Sequence, residues 1–381
     1  MDFDLSDEQE MLRDAARRFV GEHYSFESRR GILAAPAAFS RPLWASYADM
    51  GWLALGLPED VGGLGCSFIE TVLLMEEFGR VLALEPYVSS AVLCARIIDQ
   101  SGNQSQRAAL LPRFLEGRLL MALAHSEPGT RYSRSALRCT ATAAGANYLL
   151  NGEKTLVFDA PSADCLLVSA LTTSGIGVFL VERDRPGVTA TDYRLIDGTR
   201  AGDVALRDAR VPASALIVES GGTPEVVEEA LDRVALAQIA EALGAMEAVL
   251  SITNSYLKQR VQFGQTLNNF QALQHRMAEM FVEVQEARSS LYRGIAHLSA
   301  APAQRAAAVS AAKVVAGNAA RFVGAQGIQL HGGIGMTDEY AVGHYYKKLL
   351  AFDKRYGDAD FHMDRFLQLQ SGASCAATGD T

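Results

Sequence analysis

The chain has 381 residues and a formal net charge of −9, with 49% hydrophobic and 21% charged residues. This length exceeds what one hydrophobic core usually supports, so we expect two or three subdomains of an ordinary globular protein. The acidic balance argues against nucleic acid as the main partner, because proteins that follow a phosphate backbone usually carry a basic surface.

The first third of the chain reads as helical. Apolar residues recur at helical spacing in five stretches, at residues 8–20, 43–55, 70–82, 90–100 and 104–115. A glycine-rich turn at residues 58–65 separates two of these stretches. The pattern predicts an all-helical N-terminal domain over residues 1–119.

From residue 120 the pattern changes to short runs that favour β structure. These runs lie at residues 148–157, 165–169, 177–181 and 203–206. They predict a middle β domain over residues 120–222.

Long alanine-rich stretches follow, and they predict helices at residues 224–257, 268–299, 303–329 and 337–354. Helices of this length suit a four-helix bundle over residues 223–370, because each must bury its apolar stripe against a partner. The final segment, residues 371–381, is predicted to be a disordered tail.

Neither targeting nor metal binding is indicated by the sequence. No run of eighteen apolar residues occurs, and the acidic start lacks the basic region of a signal peptide, so we expect a cytoplasmic protein without a membrane span. The five cysteines are scattered and form no C-x-x-C pair, so we expect neither a disulfide framework nor a metal site.

Two segments in the C-terminal half carry the most specific signal. The first reads Arg260-Val-Gln-Phe263-Gly264 at the end of a predicted helix, and the second reads Gln329-Leu-His-Gly332-Gly333. A Gly-Gly turn alone is common in loops, but here it follows the first segment at the end of a long helical stretch. Together the segments resemble the flavin-holding signature of the acyl-CoA dehydrogenase family.

The resemblance runs from residue 1 to about residue 370 and implies an α+β fold. Its parts are an N-terminal helical domain, a middle β-barrel or sandwich domain and a C-terminal four-helix bundle. It also implies FAD as cofactor and an acyl-CoA thioester as substrate, with α-proton abstraction and β-hydride transfer to flavin N5. An electron-transfer flavoprotein would accept the electrons, and the chain would form a homo- or hetero-oligomer, either a dimer or a tetramer.

The resemblance also implies which residues hold the cofactor. Arg260 would reach the FAD pyrophosphate of a neighbouring subunit, since a guanidinium is well matched to phosphate. Phe263 would pack on the cofactor, and Gln271 follows in the family register.

The resemblance places further cofactor contacts in two segments, a loop of the β domain and the end of a helix. The segment Ser126-Glu-Pro-Gly129 resembles the family's Thr-Glu-Pro-Gly loop, so Ser126 would donate its hydroxyl to the flavin ring edge. Gln329, Gly332 and Gly333 would contact the adenosine half, because glycine permits close approach of the backbone.

The catalytic base of the family is missing from both of its usual places. A carboxylate must sit beside the substrate α-carbon to take the proton. The stretch 352–358, where most members carry a Glu, has none, and the alternative position on the first bundle helix is Val234. The remaining candidates for a relocated base are Glu241 first and Asp353 second.

Two β-domain segments also depart from the family. Residues 131–133 replace the Gly-Ser-Asp that completes the flavin loop, and residues 156–158 replace the Trp-Ile-Thr that backs the flavin. Within the family, the chain most resembles the small subunit of pimeloyl-CoA dehydrogenases and related heteromeric enzymes.

Three hypotheses follow from these observations. The chain is an acyl-CoA dehydrogenase subunit that takes part in α,β-desaturation; or it is a catalytically inert partner that completes the FAD site and the interface; or it is a flavin enzyme that has moved to another reaction, such as oxygen-using oxidation. The acyl group and the partner subunit are not specified by the sequence.

Overall fold

The computed structural model describes residues 5–218 and 223–377. The helices of this part of the chain are α1 (Asp7–His23), α2 (Phe26–Ala34), α3 (Arg41–Asp49), α4 (Phe68–Val81), α5 (Arg96–Ser101), α6 (Gln104–Leu115), α7 (Thr223–Gln259), α8 (Gln271–Ala296), α9 (Pro302–His331), α10 (Ala341–Lys354) and α11 (Ala359–Ala377). The strands are β1 (Met121–Ala124), β2 (Thr140–Ala144), β3 (Asn147–Phe158), β4 (Cys165–Thr172), β5 (Gly175–Glu182), β6 (Val188–Arg194), β7 (Arg200–Pro212), β8 (Leu216–Val218), β9 (Val261–Gln262) and β10 (Gln265–Thr266).

Local side-chain chemistry fixes where several helices begin. Ser6 and Gln9 form a capping box at the start of α1, and Asn103 and Gln106 form another at the start of α6. Each box satisfies backbone N–H groups that the first helical turn leaves without a partner. Pro302 occupies the first turn of α9, where a missing N–H carries no penalty.

The structure corrects three details of the predicted elements. Helix α2 was not predicted, and the helix predicted at residues 43–55 ends at Asp49, because Gly51 adopts φ +72° and turns the chain. Helix α11 continues to Ala377, so residues 371–377 are helical rather than part of a disordered tail. Residues 378–381 of the predicted tail lie outside the described residues.

An eight-stranded sheet confirms the predicted middle β region. Its strand order is β6-β7-β3-β2-β4-β5-β8, and β1 pairs with β4. The pairings of β1 and β2 with β4 are parallel, and the other pairings are antiparallel. Apolar side chains from these strands form one buried cluster. Helices and sheet together give the predicted α+β class.

The chain divides into two compact units. One comprises residues 1–30, 68–83 and 235–381, and the other comprises residues 31–67 and 84–234. Helices α1 and α4 belong to the first of these units, and α3, α5 and α6 belong to the second. The predicted boundaries of the N-terminal domain, residues 1–119, stay a prediction.

Two glycines explain why α4 belongs to the bundle unit. A Cβ atom added to Gly79 of α4 would lie 1.8 Å from the Glu241 carbonyl oxygen, and one added to Gly244 of α7 would lie 1.9 Å from the Glu76 carbonyl oxygen. Any larger residue would clash with backbone at these positions. The two helices therefore cross in direct backbone contact.

Helix α7 is a long helix with many apolar residues. Its residues 225–259 are long and apolar enough to cross a membrane by length and composition alone. However, 72% of its most apolar window is buried against the rest of the protein. This burial is typical of the core helix of a folded bundle.

A charged network joins α1, α4, α7 and α8 beside this crossing. The Arg288 guanidinium donates to both carboxylate oxygens of Glu76, at 2.9 and 3.1 Å, and also to Glu247. On the neighbouring position of α4, Glu77 accepts from Arg17 at 2.8 Å. Burial raises the pKa of Glu76, and the adjacent Arg288 opposes this effect.

We expect Arg288→Met to lower the free energy of unfolding by about 3 kcal/mol, because it leaves the buried carboxylate of Glu76 without its cation. Urea unfolding of the purified chain at neutral pH measures the change. Arg13→Met is the matched control: Arg13 makes only long ion pairs, at 3.6 Å to Glu10 and 3.8 Å to Asp14, so its loss should cost less than about 1 kcal/mol. Equal losses in the two variants would contradict this assignment.

Candidate active site

The loop that carries Ser126 is supported by one buried ion pair. Lys154 Nζ on β3 donates to Glu127 Oε1 at 2.7 Å, and also to the His125 carbonyl and Ser169 Oγ, both at 3.2 Å. Lys154 and Glu127 are 1% and 3% exposed. A buried cation and a buried anion that satisfy one another, with further hydrogen bonds, hold a loop in a single position.

Glu127 also binds the chain that follows the loop. Its two carboxylate oxygens accept the backbone N–H groups of Arg138 and Cys139 at 2.6 and 3.0 Å. Burial alone would raise the pKa of Glu127, but the hydrogen bonds from Lys154 and from these amides outweigh it and lower the pKa. Glu127 is therefore an anion that organises the start and end of this loop.

Ser126 itself is half-buried, and its backbone is fixed from β3. The Thr155 N–H donates to the Ser126 carbonyl at 2.9 Å. The Ser126 hydroxyl makes no hydrogen bond to another described residue and is free to donate to a ligand. The predicted role of Ser126 as a flavin-ring donor stays a prediction that this geometry permits.

His125, next to the loop, is held as a neutral ring. Ser169 Oγ lies 2.9 Å from Nδ1, and the Arg134 carbonyl lies 3.0 Å from Nε2. Burial, with a smaller effect of the Lys154 charge, lowers the pKa of His125 from 6.5 to about 4.

This shift predicts a pH dependence of stability. Between pH 6.5 and about 4 the unfolded chain binds a proton at His125 and the folded chain does not, so stability falls as the pH drops through this window. Because glutamine does not titrate, we expect the loss in free energy of unfolding over this pH window to be about 3 kcal/mol smaller in His125→Gln. Urea unfolding from pH 7 to 4 measures it, with replacement of the exposed His23 as control. An unchanged slope in His125→Gln would contradict the buried neutral ring.

At one end of the bundle, the predicted FAD-contacting segment forms a tight hairpin. Helix α7 ends at Gln259, and strands β9 and β10 pair across the turn at Phe263 and Gly264. Phe263 is 90% exposed and adopts φ +53°, which is unusual for a bulky residue. The Arg260 side chain is exposed and makes no hydrogen bond or ion pair to another described residue.

The Gly-Gly segment lies at the same end of the bundle. The ring of Tyr256 in α7 packs against His331 in α9 with centroids 4.5 Å apart, so the hairpin and the end of α9 are neighbours. Gly332 ends α9 at φ +64°, and no atom lies within 4 Å of a Cβ built on Gly332 or Gly333. The backbone here is open to close approach.

The two predicted glutamines flank this surface. Gln329 is exposed in the last turn of α9, and Gln271 is exposed at the start of α8, immediately after Phe270. The Phe270 ring packs edge-on against the Phe263 ring, with the ring centroids 6.2 Å apart. The bundle unit thus brings together six of the predicted cofactor contacts, and Ser126 belongs to the sheet unit. We define the six as the bundle-end surface: Arg260, Phe263, Gln271, Gln329, Gly332 and Gly333.

This donor set fits the phosphate and adenosine parts of a dinucleotide. A guanidinium without a protein partner matches a pyrophosphate, and a glycine pair with open space lets the backbone approach a ligand. An exposed phenylalanine beside them offers an apolar face. All these groups point away from the chain's own core.

Neither candidate base is a free carboxylate. Glu241 is 8% exposed, and its Oε1 lies 2.7 Å from Lys348 Nζ. Asp353 is 2% exposed, and its Oδ2 lies 3.0 Å from Lys354 Nζ. Both roles in catalysis stay predictions, and the structure shows each carboxylate paired with a lysine.

A buried lysine that sequence reasoning missed explains the position of Asp353. Lys313 is 1% exposed in α9 and donates to the carbonyls of Phe352, Arg355 and Gly357 at 2.8, 3.2 and 3.2 Å. Burial lowers the pKa of Lys313 to about 7, and the Asp353 charge opposes this shift. Lys313 therefore caps the end of α10. The only sequence signal was one lysine within the small and apolar run of α9.

The arrangement matches a known family along nearly its whole length. Family models of the acyl-CoA dehydrogenase N-terminal, middle and C-terminal domains match residues 6–118, 122–209 and 224–366. The chain belongs to the acyl-CoA dehydrogenase family. Its fold and its FAD cofactor are those expected from the resemblance, and the family consists of oxidoreductases that act on acyl-CoA.

Individual relatives agree with this assignment. The mitochondrial isovaleryl-CoA dehydrogenase of Bos taurus is 30% identical over 93% of this chain and 86% of the bovine protein. Among solved structures, a variant of the Tcur3481-Tcur3483 steroid ACAD has a TM-score of 0.88 and 30% identity, and the match covers 97% of this chain and 99% of that chain. The ChsE4-ChsE5 complex of Mycobacterium tuberculosis has a TM-score of 0.89 and 26% identity, with the same coverage.

Membership of the family identifies the cofactor that the predicted site residues would bind. FAD, when bound, supplies the hydride acceptor for acyl-CoA oxidation. The bundle-end surface would hold its phosphate and adenosine parts, and Ser126 would donate a hydrogen bond to its ring. The protein's contribution is to bind and orient the cofactor, since the redox chemistry belongs to the flavin.

Proposed function

We propose that this chain is one subunit of a heteromeric, FAD-dependent acyl-CoA dehydrogenase. Its bundle-end surface completes the FAD site of a neighbouring subunit, and the assembled enzyme desaturates the α,β bond of an acyl-CoA. The base that removes the α-proton comes from the partner. An electron-transfer flavoprotein accepts the electrons from the reduced cofactor.

The observation that carries this proposal is the exposure of the bundle-end surface. Arg260 makes no hydrogen bond or ion pair to another described residue, and Phe263 is 90% exposed. Large apolar groups and unpaired cations exposed together usually mark a binding surface. These residues therefore suit a cofactor that a second chain also contacts.

The pairing of both carboxylates with lysines supports a base in the partner. A general base needs a carboxylate that can approach the substrate proton to hydrogen-bonding distance. Glu241 is instead bound to Lys348 at 2.7 Å, and Val234 occupies the family's alternative base position. Two of the similar structures are named as pairs of different proteins, ChsE4-ChsE5 and Tcur3481-Tcur3483, which is the kind of assembly proposed for this chain.

We expect Arg260→Ala to weaken FAD binding by the assembled enzyme roughly thirtyfold, because about 2 kcal/mol of charge-assisted hydrogen bonding is lost. FAD titration of the apoenzyme, formed by coexpression with the partner subunit, measures the affinity. Arg276→Ala is the matched control, since Arg276 is an exposed arginine of α8 that donates to Gln326 at 3.1 Å. Normal FAD affinity in Arg260→Ala would contradict the proposed site.

Replacing Glu241 tests whether this chain carries the base. We expect Glu241→Gln to leave kcat of the assembled enzyme within about twofold, because the pair with Lys348 is structural. Stability should fall by about 3 kcal/mol, since Lys348 is left buried without its partner. Steady-state kinetics and thermal unfolding measure the two effects.

Lys348→Met is the matched control for this test, because it breaks the same pair and keeps the carboxylate. Both variants should lose similar stability and keep turnover. A loss of kcat by a factor of about 10² or more in Glu241→Gln alone, with flavin retained, would instead assign Glu241 as the base.

A further inference from the structure

A β-bulge interrupts the pairing of β3 with β7 beside the Ser126 loop. Lys154 pairs with Val204 and Val157 pairs with Gly202, so Thr155 and Leu156 lie opposite the single residue Asp203. Two residues opposite one is the arrangement of a bulge, which bends the strand and re-aims its side chains.

The residue opposite the bulge replaces the lost ladder bonds with its side chain. Asp203 Oδ1 accepts from the Leu156 N–H at 3.0 Å, from Thr155 Oγ1 at 2.8 Å and from the Tyr193 hydroxyl at 2.8 Å. Burial would raise the pKa of Asp203, but these three donors outweigh it and lower the pKa. The carboxylate is therefore an ionised acceptor for three groups on β3 and β6, the two strands that flank β7.

The bulge holds Leu156 in an unfavourable conformation. Leu156 adopts φ +52°, a left-handed region that disfavours residues with a Cβ, and its side chain is 37% exposed. A strained residue persists only where its surroundings fix it, and such residues cluster at functional sites. Here the hydrogen bond from Leu156 N–H to Asp203 fixes it.

The bulge also supports the loop that carries Ser126. Thr155 donates its hydroxyl to Asp203 and its backbone N–H to the Ser126 carbonyl, the latter at 2.9 Å. Ser126 and Leu156 both belong to segments of the sheet unit that the family resemblance connects with the flavin. One carboxylate thus positions both, directly at Leu156 and through Thr155 at Ser126.

We propose that Asp203 is a positioning residue for a flavin ring. It fixes the backbone at Ser126 and Leu156, which we call the frame, and the sheet unit keeps this frame although leucine replaces an aromatic side chain at position 156. The inference rests on the proposed role as a flavin-enzyme subunit, but it concerns residues other than the bundle-end surface. An aromatic side chain placed on the frame should therefore meet the ring of FAD.

The same strand pair contains a second bulge that serves as an internal control. Leu150 pairs with Ala209 and Gly152 with Leu206, so Asn151 lies opposite two residues of β7. Asp208, one of these two, adopts φ +47°, and its N–H donates to Asn151 Oδ1 at 2.8 Å. Asn151→Ala and Asp203→Ala thus each remove a side chain that fixes a residue in the left-handed conformation. The two variants differ because Asp203 binds Thr155 and Leu156, whereas Asn151 binds Asp208.

The test uses the apoenzyme assembled with the partner subunit, in which tryptophan replaces Leu156 of this chain. FAD should quench the emission of Leu156→Trp, because a flavin that stacks on an indole accepts its excitation. The native Trp44 and Trp52 are 0% and 2% exposed, and the assembled enzyme without Leu156→Trp measures the background emission. FAD is titrated into Leu156→Trp alone and in combination with Asp203→Ala, Asp203→Asn or Asn151→Ala.

We expect Asp203→Ala to raise the FAD concentration for half-maximal quenching at least about tenfold, because it removes three hydrogen bonds that hold the frame. Asn151→Ala should leave this concentration unchanged, and Asp203→Asn, which keeps an acceptor oxygen, should largely restore it. Amide hydrogen exchange without FAD should become faster at residues 154–157 in Asp203→Ala, but not in Asn151→Ala.

Absence of FAD-dependent quenching in Leu156→Trp, or equal effects of Asp203→Ala and Asn151→Ala, would overturn the inference. If Asp203→Ala fails to fold, Thr155→Val, which removes one of the three hydrogen bonds to Asp203, carries the same comparison with a smaller expected increase. An inference that fails while FAD binding by the assembled enzyme still depends on Arg260 leaves the proposed function intact. Quenching that persists while Arg260→Ala has normal FAD affinity contradicts the proposed function alone.

Discussion

The contact between Lys154 and Glu127 is the interaction on which the sheet side of the candidate site depends. Both side chains are almost fully buried, so each charge requires the other, and removal of either leaves an uncompensated buried charge. The pair joins β3 to the loop after β1. Because the next two residues of β3 form the bulge opposite Asp203, one short stretch of strand supports the loop backbone and aims Leu156.

The bundle-end surface differs from the sheet side of the site in how its residues are held. Its proposed cofactor contacts are exposed side chains and open backbone rather than a buried network, which suits residues that find their partners only when a cofactor and a second chain are present. The sheet unit is pre-organised internally, whereas the bundle-end surface is complementary to something outside the chain. A subunit that contributes to a shared flavin site needs both properties.

Much of the fold and of the bundle-end surface could be predicted from the sequence, because the signals are periodic patterns within one helix or short motifs. Apolar periodicity and alanine-rich composition located α6 through α10, and the spacing of Arg260 and Gly333 indicated the family. Other features depend on contacts between residues far apart in the chain. The pairing of Glu241 with Lys348 spans more than a hundred residues, and the burial of Lys313 beneath the end of α10 has no pattern of its own. The grouping of α4 with the bundle depends on backbone contact at Gly79 and Gly244, which only the fold creates.

The central claim is that this chain completes a flavin site in a heteromer rather than running the reaction alone. The most direct measurement is the ratio of FAD to protein chain, from flavin absorbance, for the purified chain alone and for its complex with the partner subunit, followed by addition of acyl-CoA. We expect only the complex to contain tightly bound flavin, and we expect acyl-CoA to bleach it. A purified chain that carries one FAD by itself, bleached by acyl-CoA without a partner, would show that this chain forms a complete flavin site alone.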